Sequence, residues 1–205
     1  MTYATALKAA LYDHLGKDWL SFYPRWDANW MGSWQGPGRK PVAIVLHHTA
    51  GAATSSTNPK APGNQKGANQ GQVDYIARHF SAPASNFVLD RDGTVYVIAS
   101  QPCWHSGVGK FTDKPWTDLR VPANEGNTWM LGVEIVDKGL AKTFTEAQKD
   151  SLVHLMRACR DASGWQNIGL LRRPQHRNWT TRKIDLRYSN DEVGQWILKY
   201  GFTTV

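Results

Sequence analysis

The sequence feature that most constrains the fold is a short apolar run at residues 42–46, which ends abruptly in His47 and His48. An unbroken apolar run of this length predicts a central strand that is buried on both faces. In open α/β sheets, ligand sites form beyond the ends of such strands. The position therefore predicts that one of the two histidines lies at the floor of a cleft, as a ligand or a catalyst.

Beyond this run, the pattern alternates strands with helices. In chain order it predicts a polar loop at 50–72, a helix at 73–80, a hairpin at 86–100, a second loop at 101–128, a strand at 129–136, a helix capped by Thr145 and Gln148, a basic loop at 169–189 and a last helix at 191–200. Such alternation predicts an α/β fold. We expect one main domain, residues 41–205, with a central mixed β-sheet flanked by helices.

Residues 1–40 differ in composition from this main domain. A helical pattern over residues 5–20 is followed by a stretch rich in Trp, Gly and Pro that has no clear period. We therefore interpret residues 1–40 as an N-terminal appendage, with a helix and an irregular segment. Its aromatic side chains either pack on the main domain, which is more common for Trp, or stack on a ligand.

Composition excludes several classes of protein. With 41% hydrophobic and 20% charged residues, the chain is typical of a soluble globular protein. No run approaches the about 20 apolar residues of a membrane span, so we expect no membrane insertion. Residues 1–20 lack the basic and apolar regions of a secretory signal peptide. Two cysteines, Cys103 and Cys159, exclude a disulfide scaffold but leave a single bridge between them open.

Positive charge is concentrated in one stretch. The net charge is +7, and residues 157–187 hold eight basic residues and only two acidic ones. Such a field attracts polyanions, which include nucleic acid, an anionic membrane and an anionic cell-wall polymer. A solvated basic face without a partner explains the charge equally well. Charge alone therefore does not select a partner.

A second cluster with candidate chemistry follows in the basic loop. His176 and Asp185 are nine positions apart, a spacing that lets a loop bring an imidazole and a carboxylate to one ion. Together with His47 they make two histidines and one carboxylate, which leaves an open fourth position as in catalytic zinc sites. We interpret His14, His79 and His154 as structural or surface residues, with His154 exposed because it lies off the apolar stripe of its helix.

Glu134 is the third candidate, because it interrupts an apolar strand. Burial of a carboxyl group raises its pKa, which suits a general base or acid near neutral pH. The alternative is an edge-strand glutamate that faces water. Other catalytic plans have less support, since the chain has no G-x-S-x-G motif and no phosphate-binding G-x-x-x-x-G-K-[ST] motif. Cys159 falls on a buried helical stripe, and no nucleophile motif surrounds Cys103.

Five motifs occur in the order VAIVLHHTAG, SNFVLDRDGTVYVIA, WHSGVG, MLGVEIV and, from His176, H…RKID. This set resembles the zinc-dependent N-acetylmuramoyl-L-alanine amidases of the amidase-2 family, which includes peptidoglycan recognition proteins and phage endolysins. The resemblance covers residues 41 to about 190. It implies a zinc ion as cofactor, with His47, His176 and Asp185 as its ligands.

The resemblance also implies roles for residues around the zinc ion. Glu134 matches the general base of the aspartate-ligand branch, and Lys183 matches the residue that stabilises the oxyanion. The other branch has a cysteine ligand and a tyrosine before the second strand; here that tyrosine position is Ser85, which favours the glutamate branch. His105 lies in the W-H-x-G stretch, and we assign it to substrate contact.

By this resemblance, the chain hydrolyses the amide bond between N-acetylmuramic acid and L-alanine in peptidoglycan. We expect a phage endolysin, a monomer made in the host cytoplasm without a signal peptide and active on the cell wall after release. A cytoplasmic amidase that recycles muropeptides and a peptidoglycan-binding module without catalysis are the alternatives. The basic stretch 157–187 is expected to hold anionic wall polymers, and no motif supports a nucleic-acid partner.

Overall fold

The structure is a computed structural model that describes residues 1–28, 30–50, 69–78, 81–139 and 141–201. Its strands are β1 (Leu20–Phe22), β2 (Ala43–His48), β3 (Phe87–Leu89), β4 (Val95–Val97) and β5 (Met130–Ile135). Its α-helices are α1 (Tyr3–Leu15), α2 (Gln70–Arg78), α3 (Gly126–Trp129), α4 (Glu146–Ser163), α5 (His176–Trp179) and α6 (Asn190–Tyr200). Most of the predicted polar loop at 50–72 lies outside the described residues, as do His79 and Phe80.

The five strands form one sheet in the order β1-β4-β3-β5-β2. Strand β4 runs antiparallel to β3 as the second strand of the predicted hairpin, and the other three pairings are parallel. The predicted α/β fold with a mixed sheet and flanking helices is therefore confirmed. None of the described helices is long and apolar enough to span a membrane.

Alternate residues of each strand face opposite sides of the sheet, because side chains alternate along a strand. One side, here called the helix face, packs into the main apolar core with α1, α4 and α6. It consists of Ile44, Leu46, Phe87, Leu89, Val95, Val97, Leu131, Val133 and Ile135. The other side, here called the cleft face, consists of Ala43, Val45, His47, Val88, Tyr96, Met130, Gly132 and Glu134.

Strand β2 is buried on both faces as predicted, but it lies at an edge of the sheet and not at the centre. The prediction was wrong on this point because the run of apolar residues reports burial and not the number of neighbouring strands. The open edge is covered by the segment before α5, since Leu46 N–H donates to the carbonyl of Pro174 at 3.0 Å. That contact also brings α5 to the end of β2.

Residues 1–40 are built into the same core as the rest of the chain. Helix α1 packs along α4, and β1 extends the sheet by pairing with β4. Trp34 is almost fully buried and donates from Nε1 to the carbonyl of Ser100 at 3.2 Å, so this side chain packs on the main domain. The strand β1 was not predicted. The assignment of residues 1–40 as an appendage stays a prediction.

Helix α4 begins with the predicted capping box between Thr145 and Gln148. The prediction that His154 is exposed was wrong, because only 5% of its surface is accessible. Helix α4 packs against both the sheet and α1, so more than one of its faces is covered. Cys103 and Cys159 are both buried and both free, which answers the question of a bridge between them.

Candidate metal centre

Two parallel strands carry the first two side chains of the site. His47 in β2 lies directly opposite Glu134 in β5, and both belong to the cleft face. Because parallel strands end at the same edge of a sheet, the two side chains lie side by side where the sheet opens to solvent. Apolar residues surround both strands, so these polar groups are held in a low-dielectric setting.

The other two candidate ligands come from the C-terminal part of the chain. His176 is the first residue of α5, whose N-terminus is capped by Gln175. The loop that follows returns on itself, and Arg177 N–H donates to the carbonyl of Asp185 at 3.1 Å. Leu186 N–H also donates to Oε1 of Gln175 at 3.2 Å. These bonds explain how residues nine positions apart reach one point.

The three predicted ligands converge. Nδ1 of His47 lies 2.9 Å from Nδ1 of His176, and Oδ2 of Asp185 lies 3.2 Å from Nδ1 of His176 and 3.8 Å from Nδ1 of His47. All three residues are buried, and one ligand atom from each lies within 4.8 Å of the others. His48, the other member of the predicted histidine pair, also reaches the cluster, since its Nε2 lies 3.0 Å from Oδ1 of Asp185.

The charges of the cluster suit a divalent cation. Burial, and next the neighbouring His176, lower the pKa of His47 to about 4, so its imidazole is neutral at pH 7. Burial opposes ionisation of Asp185, but the neighbouring imidazole groups of His176 and His47 outweigh it and hold the pKa of this carboxyl group below its usual range. Imidazole and carboxylate ligands in this number fit zinc.

The cluster opens into a cleft of about 640 Å³. Helix α2 forms one wall with Gln72 and Tyr75, and the side chains of Trp104 and Lys183 line the cleft as well. Two aromatic residues of this lining are exposed, Tyr75 by 58% and Trp104 by 45%. Exposed aromatic side chains around a polar floor are typical of a site for a ligand with apolar and polar parts.

Glu134 also lines the cleft, and its Oε2 is a buried atom without a hydrogen-bond partner. Burial, and next the charge of Asp185, raise the pKa of Glu134 to about 8, while Lys183 opposes the rise. The alternative of an edge-strand glutamate facing water is therefore wrong, since β5 lies between β3 and β2. A half-buried glutamate whose carboxyl group has a pKa near neutrality is suited to proton transfer.

His105 lies behind His47 and is only 7% exposed, although it reaches the cleft lining. Its Nε2 lies 2.6 Å from the carbonyl oxygen of Met130, and its Nδ1 lies 3.3 Å from Nε2 of His47. Residues Val108, Lys110 and Asn124, which follow in the chain, line a separate hollow of about 450 Å³ together with residues of α5.

The sequence matches the Amidase_2 family of N-acetylmuramoyl-L-alanine amidases over residues 37–187. No curated protein matches the chain. Among solved structures, the chain is similar to the endolysin Ph2119 from a Thermus scotoductus bacteriophage, with 18% identity, a TM-score of 0.53 and coverage of 86% of this chain and 97% of that one.

Two further structures show the same fold. The endolysin amidase LysCS from Clostridium intestinale has 15% identity and a TM-score of 0.50, and covers 90% of this chain and 96% of its own. Drosophila PGRP-LB in complex with tracheal cytotoxin has 12% identity and a TM-score of 0.56, and covers 86% of this chain and 94% of its own.

The fold and the arrangement of the cleft define a peptidoglycan amidase domain. The chain belongs to the N-acetylmuramoyl-L-alanine amidase family, Amidase_2, whose match covers most of its length.

Proposed function

We propose that the chain is a zinc-dependent amidase that hydrolyses the bond between N-acetylmuramic acid and L-alanine. The observation that carries the proposal is the convergence of His47, His176 and Asp185 in a buried cluster beside Glu134. Zinc held by these three residues would supply Lewis acidity and would make a water molecule a stronger acid. Two imidazole groups and one carboxylate make a ligand set of the kind found in catalytic zinc sites.

Glu134 serves as the general base in this proposal. The carboxylate accepts a proton from the attacking water and later returns it to the nitrogen of the departing L-alanine. A cation held by the neighbouring cluster stabilises the ionised carboxylate, because opposite charges lower the pKa of an acid. The pKa of about 8 in the metal-free site therefore shifts towards the range that a base needs at neutral pH.

Lys183 supplies positive charge on the open side of the cleft. Its ammonium group lies close enough to Glu134 and His47 to act on the pKa of both. Such a charge stabilises the oxyanion that forms when the amide carbonyl is attacked, and one donor of this kind contributes about 3–4 kcal/mol in other enzymes.

The proposed ligand is a muramyl peptide. The cleft has room for both a sugar and a peptide, and a structural relative of the same fold is seen in complex with tracheal cytotoxin. The basic stretch 157–187 is proposed to attract anionic wall polymers. In this proposal the protein is a monomeric phage endolysin that is made in the host cytoplasm and acts on the cell wall, in line with its two endolysin structural neighbours.

The test is hydrolysis of purified peptidoglycan with and without a chelator, followed by mass analysis of the products. We expect free stem peptides that begin at L-alanine, lost with the chelator and restored by zinc. Binding of peptidoglycan without release of peptides would instead make the chain a recognition module. Cleavage of soluble muropeptides but not of intact wall would favour a recycling amidase over an endolysin.

A further inference from the structure

We propose that His105 is a positioning residue that fixes the orientation and the tautomer of the metal ligand His47. This inference rests on the proposed metal site, and it replaces the substrate contact expected for His105 from the family resemblance. The hydrogen-bond partners of both ring nitrogens of His105 carry the argument, together with the way the sheet makes room for its ring.

The carbonyl group of Met130 fixes the direction of the hydrogen bonds made by His105, because a carbonyl oxygen can only accept. Nε2 of His105 lies 2.6 Å from the carbonyl oxygen of Met130, so this nitrogen carries the proton. In the neutral ring, Nδ1 is then left as an acceptor. Two groups can donate to it, the hydroxyl of Ser106 at 3.1 Å and Nε2 of His47 at 3.3 Å, and we assign a hydrogen bond to the latter. The donation leaves Nδ1 of His47 with a free lone pair that faces the cluster.

The tautomer of His176 is fixed in the same way by Ser106, the residue that follows His105. Its Nε2 lies 3.1 Å from the carbonyl oxygen of Ser106 and donates to it, which leaves Nδ1 free. Two free lone pairs thus lie 2.9 Å apart beside the carboxylate of Asp185. Such an arrangement is repulsive without a cation between the groups, so the residue pair His105 and Ser106 prepares both histidines for a metal ion.

Polar contacts hold His105 and Ser106 in place, and the absence of a side chain at Gly132 leaves room for the His105 ring. Oδ1 of Asn127 accepts from His105 N–H at 3.0 Å and from Ser106 N–H at 2.8 Å. A Cβ atom on Gly132 would lie 2.5 Å from the ring of His105, so only glycine lets the ring lie against β5. Because both ring nitrogens of His105 have hydrogen-bond partners within the protein, neither nitrogen is free to bind a substrate.

The experiment measures zinc affinity by competition with a chelator, without substrate, for the wild type and His105→Phe. The phenyl ring fills the space but neither accepts nor donates, and loss of such a partner weakens metal affinity by about 10–100-fold. Trp104→Ala is the matched control, because this neighbouring side chain lines the cleft and is 45% exposed, and none of the described hydrogen bonds joins it to His47, His176 or Asp185. Its zinc affinity should equal that of the wild type.

A second variant separates positioning from general structural support. In His105→Asn, the amide oxygen lies near the place of Nδ1 and accepts from His47, so we expect zinc affinity between that of the wild type and that of His105→Phe. Unchanged zinc affinity in His105→Phe with a raised KM would restore the substrate role and overturn the inference. An Asn variant no better than the Phe variant would also overturn it. A wild type that binds no zinc would instead overturn the proposed metal site.

Discussion

The two faces of the sheet are made by alternate residues of the same strands, yet they differ in chemistry. On the helix face, the strand residues in the core with α1, α4 and α6 are aliphatic or aromatic, and a polar residue follows only at the end of β2, where His48 lies opposite Ile135 and reaches Asp185. On the cleft face, the same strands place His47, Gly132 and Glu134 among apolar residues. Burial is similar on both faces, since the strands β2 and β5 are almost entirely buried.

The difference shows where residues that lower the stability of the fold are located. A histidine, a glycine and a glutamate each cost stability in a buried strand, through desolvation or lost packing. On the cleft face, His47 and Glu134 lie side by side near the strand ends, and Gly132, two residues earlier in β5, makes room for the ring behind His47. Apolar packing on the helix face stabilises the fold, whereas the site residues on the cleft face lower the stability of the fold. Each of the following predictions tests this separation.

The largest effect is expected for His176→Ala, which removes one of the three candidate metal ligands. Zinc binding and hydrolysis should be lost together, while the metal-free protein keeps its fold, because the site contributes little to the core. Calorimetric titration with zinc, peptide release from peptidoglycan and circular dichroism of the metal-free protein check this outcome. Full hydrolysis by this variant would show that the cluster is not the catalytic centre.

The next effect concerns Glu134, which lies in the site without being a predicted ligand. Glu134→Ala should bind zinc as the wild type does but hydrolyse peptidoglycan about 10²–10⁴-fold more slowly, the range for loss of a general base. The ratio of the two kcat values, measured at matched zinc occupancy, checks the prediction. Retained hydrolysis would contradict the role of Glu134 and point to another base.

A substitution on the helix face of the same strand should have the opposite effect to Glu134→Ala, because it should lower stability and leave activity unchanged. Leu131 is fully buried against the helices, and Leu131→Ala should lower the free energy of unfolding by about 2–5 kcal/mol. Zinc affinity and kcat of the folded fraction should stay close to those of the wild type. Denaturant unfolding and zinc titration below the unfolding transition measure the two quantities. A loss of zinc affinity as large as the loss of stability would mean that the faces are coupled.

The smallest effect is a dependence of stability on pH in the metal-free protein. The pKa of Glu134 is raised to about 8 in the folded state, whereas an unfolded glutamate titrates near 4.5. Folding therefore favours the protonated form, and the ionised form destabilises the protein progressively as pH rises from about 4.5 to 8. Glu134→Gln removes this penalty, since its side chain stays neutral.

We expect the metal-free Glu134→Gln variant to exceed the wild type in stability by roughly 1–3 kcal/mol at pH 8, and to match it near pH 4. Thermal unfolding at the two pH values, with a chelator present, measures the difference. Zinc should reduce the difference at pH 8, because the cation stabilises the ionised carboxylate. A variant less stable than the wild type at pH 8 would show that Glu134 is ionised and paired in the metal-free fold.

Local patterns determined much of the fold and the composition of the candidate site. The hairpin, the capping box of α4 and the buried strands β2 and β5 follow from periodicity and from turn and cap residues close in sequence. The choice of His47, His176 and Asp185 also came from the sequence, because two motifs place ligating residues beside elements that must be buried. The structure brings the three side chains together, and their roles as metal ligands stay predictions.

Tertiary structure alone decided which groups meet across long stretches of chain. The sequence did not indicate that β1 joins the sheet, that β2 lies at its edge, or that His154 of α4 is buried. Nor did it show His105 behind His47, since the two residues are 58 positions apart. A local pattern reports which side of a helix or strand avoids water. The partner that each polar atom finds depends on the packing of the whole chain, because hydrogen bonds form only at short range and in fixed directions.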